Sequence, residues 1–435
     1  MSKLCQSEIT SIRIFPLSKN EFNKQFKKTT YDSMLAELNK HKKFMDKISQ
    51  SDYSNFIKEM DQYFKLKSII RTEYLGQAVS NAWLKMYEML VYYSDKLNIG
   101  ETFTMFGNAE LPGAFLSSTN HFMQDHFPDT KFDWRACSYM SESANSDNTK
   151  LGDHYGIYKN NREKWLMSSN NLHIDDVVNI YESLTKSGLL GTTYPKQIIK
   201  DGKPVTKKYL IGDVTDTDDI KTIAKSILLW GNVDLYTSDA GIGVENDYDN
   251  QEELTLKLNF GQILSGLATI KIGGTLITKQ YTYFTLFNLS LINLLSTMFE
   301  YLYICKPLTS RPANSEVYIV GINFKGTMLI ERFYDLMDSD LFGKDFNFSD
   351  WQESSGIEII DESKTSLADS ITSLADSIKE ITGMQIKYLK ELKQFYEKYK
   401  PKEICKLLQK SNEKLIKDWI KLTGVKKLNR FIKCN

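Results

Sequence analysis

Seven short apolar runs in the middle of the chain limit its fold more than any other feature. They are TFTMFG (102–107), WRACSYM (134–140), KYLIG (208–212), VDLYTS (233–238), GTLITK (274–279), YLYICK (301–306) and EVYIVG (316–321). Runs of this length, rich in Val, Ile, Tyr and Phe and bounded by turn residues, read as strands. Helical patterns fit between the first six, which therefore read as parallel neighbours joined by crossovers. Only nine residues separate Lys306 from Glu316. That is too short for a helical crossover, so the last two strands are expected to pair antiparallel. The fold class is α/β, a seven-stranded, mostly parallel sheet with an antiparallel last strand.

With 435 residues, 41% of them hydrophobic, the chain can bury a large core. Residues 1–75 read as a helical N-terminal extension, 76–335 as the sheet-bearing domain with an insertion at 141–207, and 336–435 as a helical, basic C-terminal region. The insertion contains YGIYKNNREKW and a hairpin pattern, KQIIKDGKPVTKKYL, whose Asp201-Gly202 suits the turn. Near residue 366 the tandem SLADSIT-SLADSIK places Leu367, Ile371, Leu374 and Ile378 at a and d positions. Two heptads are too few for a long coiled coil. They read as an amphipathic helix lying on its own domain or on a protein partner. The chain is neutral as a whole, yet from Lys379 to Asn435 it carries 16 Lys+Arg against 6 Asp+Glu. Such a tail is either a solvated helical face or a surface for phosphates.

Several classes are argued against. The five cysteines are odd in number and scattered, with no CxxC or Cys/His cluster, so neither a zinc site nor a disulfide framework is expected. A reducing, intracellular setting fits, and MSKLCQSEIT lacks the apolar core of a signal peptide. Twenty uncharged residues run from Gln280 to Phe299. They include Asn288, Ser290 and Asn293 and sit between strands, so they read as a buried helix and no membrane span is expected. GIGVEN (241–246) lacks the full dinucleotide fingerprint and follows the wrong strand for a nicotinamide enzyme.

Ligands of an open parallel sheet bind at the carboxyl ends of its strands. After the first strand comes ELPGAF, where Pro112-Gly113-Ala114 lets backbone approach a ligand and the next helix N-terminus offers N–H groups to a carboxylate. Asp213 follows the third strand and Asp239 the fourth; Lys279 ends the fifth; Glu316 opens the last. Upstream, Lys85 sits on a helix beside Trp83 and Tyr87.

With these residues in place, the chain resembles the FtsJ-like ribose 2'-O-methyltransferases, most closely the mRNA-cap branch of eukaryotes and large DNA viruses. The matching residues are Ala82-Trp83-Leu84-Lys85 before the cofactor loop, Glu110 to Phe115 as the loop, and Asn120-His121 after it. They continue with Gly212, Asp213 and Asp216, then Ser238 and Asp239, then Gly273, Gly274 and Lys279. The last group is Lys306, Pro307, Ser310, Arg311, Ser315, Glu316, Tyr318 and Val320. ELPGAF departs from the commoner APGGF, and the resemblance covers about residues 78–325.

The resemblance implies a Rossmann-like methyltransferase fold that uses S-adenosylmethionine to methylate an RNA ribose, with the 5' end of capped mRNA as partner. It implies a catalytic set of Lys85, Asp239, Lys279 and Glu316. Lys279 would be the base, its neutral form favoured by repulsion from Lys85, while nearby acids act the other way. The cofactor would be held by Glu110, Pro112, Gly113, Ala114, Phe115, Asp213 and Asp239, with Glu142 a candidate for the cofactor ribose. Lys306, Ser310 and Arg311 would meet RNA or brace their loop. Tyr155, Tyr158 and Trp165 would stack on a methylated guanine or sit in a core. Viral kinship would place the protein in host cytoplasm or virion. A non-catalytic RNA-binding or scaffold subunit, and a ribosomal-RNA methyltransferase, remain open alternatives.

Overall fold

The structure is a computed structural model; the described residues are 9–45, 48, 56, 60–139, 153, 155–167, 198–200, 203–205, 212–241, 250–354 and 374–428. Eight strands form one sheet: β1 (Thr10–Ile14), β2 (Thr102–Asn108), β3 (Lys131–Ser138), β4 (Trp165–Met167), β7 (Val233–Ser238), β8 (Ile270–Gln280), β9 (Phe299–Lys306) and β10 (Val317–Phe324). In space they run β1-β9-β10-β8-β7-β2-β3-β4. The stretch from β8 to β4 is parallel throughout. β10 is antiparallel to both β8 and β9, and for β9 the short connection from Lys306 requires it. A separate hairpin pairs β5 (Ile198–Lys200) with β6 (Lys203–Val205), as expected; its turn residues Asp201 and Gly202 lie outside the described residues.

The sheet differs from expectation at both edges. Its first strand comes from the N-terminal extension: β1 pairs antiparallel with β9, so residues 1–75 are not purely helical. The strand beside β3 is Trp165–Met167, from the insertion, not 208–212. Residues 208–211 lie outside the described residues, and Gly212 has a left-handed φ of +71° rather than an extended one. Trp165 seals that edge because its ring meets Trp134 of β3 edge-on at 6.0 Å.

Helices cover both faces, which explains why the central β7 is buried along its whole length. One face packs α2 (Asn81–Tyr92), α3 (Ala114–His126) and α8 (Pro401–Thr423); Trp83, Phe115 and Trp419 share that core. The other packs α4 (Thr217–Trp230), α5 (Leu256–Leu267) and α6 (Leu286–Met298) through Ile220, Phe260 and Phe287. α6 is the apolar stretch that could have passed for a span. Among the described residues no helix is long and apolar enough to cross a membrane.

The two extensions pack on each other. α1 (Lys28–Lys42) lies against α7 (Leu374–Lys398). Leu374 and Ile378, the second heptad's apolar pair, are buried in the protein's own core. The expected protein-partner face is therefore turned inward at these two positions, while Leu367 and Ile371 lie outside the described residues.

Candidate active site

Each of the four sequence-selected side chains reaches the site for a local reason. Ser80 caps α2, accepting from the Trp83 N–H at 3.4 Å, and so starts the helix just ahead of Lys85. Trp83 and Tyr87 stack at 5.0 Å in the core beside that helix. Asp239 follows β7. Gly273 (φ +83°) and Gly274 lie inside β8, at the register shift between its Ile270 and Thr275 pairings with β7. A Cβ on Gly274 would come within 3.1 Å of the Val233 carbonyl, so the bare backbone sets the strand's depth and hence where Lys279 emerges. Lys279 lies directly across the β8–β10 ladder from Tyr318. Glu316, two residues before Tyr318, shares its side of the chain by strand alternation.

These groups meet in one hydrogen-bonded network. Lys85 Nζ donates to Glu316 Oε1 at 2.7 Å and to the Tyr318 hydroxyl at 3.3 Å. The Tyr318 hydroxyl donates to Asp239 Oδ1 at 3.0 Å. Lys279 Nζ donates to the Asp239 carbonyl at 2.8 Å and sits 3.3 Å from Oδ1. Tyr318 is fully buried and joins the two ion pairs; it belonged to the matched motif without a role. Tyr281 was not singled out at all. A Cβ added to Gly241 would lie 3.1 Å from both the Lys279 nitrogen and the Tyr281 hydroxyl, so that glycine keeps the flank of the ammonium clear.

The electrostatics correct one expectation. Burial is the largest influence on Lys279 and lowers its pKa, but Asp239, Tyr281 and Glu316 outweigh it and the net shift is upward. Repulsion from Lys85 does not prevail because Lys85 is itself paired with Glu316. Burial pushes the Glu316 carboxyl up, yet Lys85, Lys306 and Lys279 together hold it well below the usual range.

The loop between β9 and β10 is braced from three sides. Lys306 is buried and its Nζ donates to the carbonyls of Asn314 at 2.7 Å and Glu316 at 2.6 Å, which makes it a brace and not an outward phosphate contact. Burial, with help from Lys85, lowers its pKa to about 8 against the pull of Glu316. The Ser310 hydroxyl donates to Glu316 Oε1 at 2.9 Å. Arg311 is exposed. Beneath the loop lies Glu88, one helical turn beyond Lys85 and only 1% exposed. It accepts from Leu308 N at 2.7 Å, Thr309 N at 3.1 Å and Trp419 Nε1 at 2.7 Å. Burial raises its pKa to about 7 while these donors pull it down. From the extensions, Lys42 Nζ donates to Ser315 Oγ at 2.9 Å and Gln385 Nε2 to the Ala313 carbonyl at 2.8 Å. Sequence reasoning missed Glu88 because its partners lie 220 and 331 positions away.

The ELPGAF loop closes against β3: Glu110 N donates to the Cys137 carbonyl at 3.0 Å and Leu111 N to Ser138 Oγ at 2.8 Å. Gly113 has φ +99°, and a Cβ there would lie 2.7 Å from Ile157 Cδ1; both facts require glycine. The α3 N-terminus is not open to an external carboxylate as expected. Glu110 Oε1 accepts from Leu116 N at 2.8 Å and caps the helix from within. Burial raises the Glu110 pKa to about 8; the Leu116 N–H opposes this and the Asp239 charge adds to it. Pro112, Ala114 and Phe115 flank this turn, with Phe115 packed 6.2 Å from the Tyr318 ring. Gly212 abuts Cys137 and Ser138, bringing Asp213 to the same sheet end. Asp213 Oδ1 accepts from Thr215 N at 2.8 Å and Thr215 Oγ1 at 2.7 Å. Glu142 lies outside the described residues. Of the insertion's aromatics, Tyr158 and Trp165 are core residues, meeting edge-on at 5.8 Å and unable to stack on a base; Tyr155 is 40% exposed.

Residues 191–324 match the family model for FtsJ-like methyltransferases, a stretch that contains Asp239, Lys279 and Glu316. Over 326 residues, 71% of this chain and 67% of the relative, the chain is 36% identical to "Probable methyltransferase EP424R" of African swine fever virus (isolate Pig/Kenya/KEN-50/1950). The chain belongs to the FtsJ-like methyltransferase family. The chain is also similar to "Uncharacterized protein L511" of Acanthamoeba polyphaga mimivirus, 30% identical over 68% of this chain and 34% of that protein. It is 24% identical to "Cap-specific mRNA (nucleoside-2'-O-)-methyltransferase 2" of Drosophila melanogaster over 70% of this chain and 38% of that one. The chain is thus a methyltransferase with the Rossmann-like fold of its family.

Proposed function

We propose that this methyltransferase modifies a ribose 2'-hydroxyl near the 5' end of capped mRNA, with S-adenosylmethionine as donor, in a reducing intracellular setting. The observation that carries the reading is the single network in which Tyr318 joins Lys85–Glu316 to Asp239–Lys279. A structural ion pair does not need two lysines and two acids gathered beside an open glycine flank. The similarity to cap-specific relatives favours RNA over a small molecule.

The sheet end suits a cationic donor: Asp239 and Asp213 lie there, Glu110 beside Asp239 is buried with its pKa raised to about 8 and shapes the turn more than it adds charge, and Gly113 keeps the turn free of a side chain. When bound, S-adenosylmethionine supplies an electrophilic methyl group on a sulfonium. Glu110, Gly113, Asp213 and Asp239 would hold it. Lys279 takes the proton of the attacking hydroxyl from its neutral fraction, which the raised pKa keeps small at neutral pH. Asp239 aims Lys279 through two contacts, and Glu316 fixes Lys85 at the opposite side of Tyr318. Holding the reacting groups in register contributes more than base strength, worth up to roughly 7–11 kcal/mol in well-oriented systems.

The test is mass-spectrometric mapping of the methyl group on a short capped RNA and on its uncapped counterpart. A 2'-O-methyl confined to the capped RNA supports the reading. Equal transfer to both removes the cap from it, and transfer to a base removes the ribose.

A further inference from the structure

One feature of the sequence is not absorbed by this site: the lysine-rich tail. In α8 it resolves into a pattern. Lys406, Lys410, Lys414, Lys417 and Lys421 are all exposed, and their spacings of four, four, three and four residues place them on one side of the helix. Leu408, Leu415, Ile416, Trp419 and Thr423 fill the opposite side and are buried. From first to last the lysines span about 22 Å at 1.5 Å per residue.

We propose that this lysine row is a docking surface for the phosphodiester backbone of the single-stranded RNA beyond the reacting nucleotide. The proposal rests on the RNA reading above. Three observations support it. Against these five lysines the helix sets only Glu403, Glu413 and Asp418, so its exposed side stays net positive and suits an anion lying across it. None of the five makes an ion pair among the described residues. Lys426, by contrast, is committed to Asp125 at 2.9 Å. The helix is also fixed to the site: Trp419 donates to Glu88, which holds the loop bearing Ser310 and Arg311. A strand leaving the ribose site along that loop would meet a positive rail rigidly joined to the catalytic helix. Lysines suit this task because they read charge and not sequence.

The experiment uses the full chain and a triple substitution, Lys410→Gln, Lys414→Gln and Lys417→Gln, beside a control that removes three other exposed lysines, Lys131, Lys225 and Lys257. Binding of a fluorescent 25-nucleotide single-stranded RNA is followed by anisotropy across a salt series, with melting temperatures to show that each variant folds. The triple variant should bind about 10-fold more weakly at low salt, with its slope of log affinity against log salt reduced by roughly 2, near 0.7 for each lost contact. The control should match the parent. Transfer to a four-nucleotide capped RNA should be unchanged in all three proteins. Identical affinity and slope in parent and triple variant, or an equal loss in the control, overturns the docking surface. Because anisotropy needs no turnover, a parent that binds through the lysines but methylates neither RNA refutes the proposed reaction and leaves the surface standing.

Discussion

The Tyr318 hydroxyl donates to Asp239 Oδ1 at 3.0 Å while accepting from Lys85 at 3.3 Å. One buried phenol therefore holds two ion pairs in register. Tyr318→Phe keeps the ring and removes only the hydroxyl. Losing a buried hydrogen bond costs about 1–3 kcal/mol, so methyl transfer should fall roughly 10- to 100-fold with little change in donor affinity. Single-turnover kinetics with calorimetry measure both.

Lys279→Met should lower transfer at least about 10³-fold, more than a general base alone contributes at the low end, and should leave donor binding within about 3-fold if Lys279 acts on the hydroxyl as proposed. In the unsubstituted protein the raised Lys279 pKa has a kinetic sign. The base form grows as pH rises, so the single-turnover rate should increase between about pH 6 and 9 by up to 10-fold per unit. A rate independent of pH over that interval would show that Lys279 deprotonation does not control the step.

Glu88 provides a stability test. Its carboxyl pKa is raised to about 7 by burial, so between the ordinary carboxylate value and 7 the folded protein holds a proton that the unfolded chain has released. Stability from this group is therefore present at low pH and falls as pH rises through that window, by up to about 1.4 kcal/mol per unit. Glu88→Gln should flatten the dependence of melting temperature on pH between about 4.5 and 7. Trp419→Phe, which strips one donor from the buried carboxyl, should cost about 1–3 kcal/mol and loosen the Ser310 loop, seen as a raised KM for RNA.

Gly113→Ala puts a methyl into a left-handed backbone position and within 2.7 Å of Ile157. The backbone term alone is roughly 1–2 kcal/mol. The loop should shift, weakening donor binding about 10-fold while the chain still folds, which calorimetry and circular dichroism would show.

The strands at the core of the sheet and the antiparallel last pair were legible because period and spacing are local, whereas the order β9-β10-β8-β7-β2 was not. VDLYTS, GTLITK and the short link before EVYIVG dictate buried strands and an antiparallel last pair wherever they occur. The edges were not. β1 is five residues inside a Lys- and Phe-rich extension, and Trp165–Met167 is too short to have a period. KYLIG looked more like a strand than WLM does because it is longer and rich in β-formers. Pairing partners decide strands of that length, and partners are distant in sequence.

The side chains of the candidate site show the same division. Their identities and order, from Lys85 to Glu316, are written in the chain, since each is a particular residue type at a strand end or helix turn. Their protonation is not. Whether Lys279 is favoured charged or neutral depends on a few ångströms separating it from Asp239 and Glu316, and on Lys85 being already paired. The sequence alone established an α/β chain with one lysine on a helix and a lysine and two acids set at strand ends. Only the folded arrangement decided that Tyr318 ties them together, that Glu110 caps its own helix, and that Glu88 joins the C-terminal helix to the site. Electrostatic energies and hydrogen bonds depend on distance in space, and a linear chain records only distance along itself.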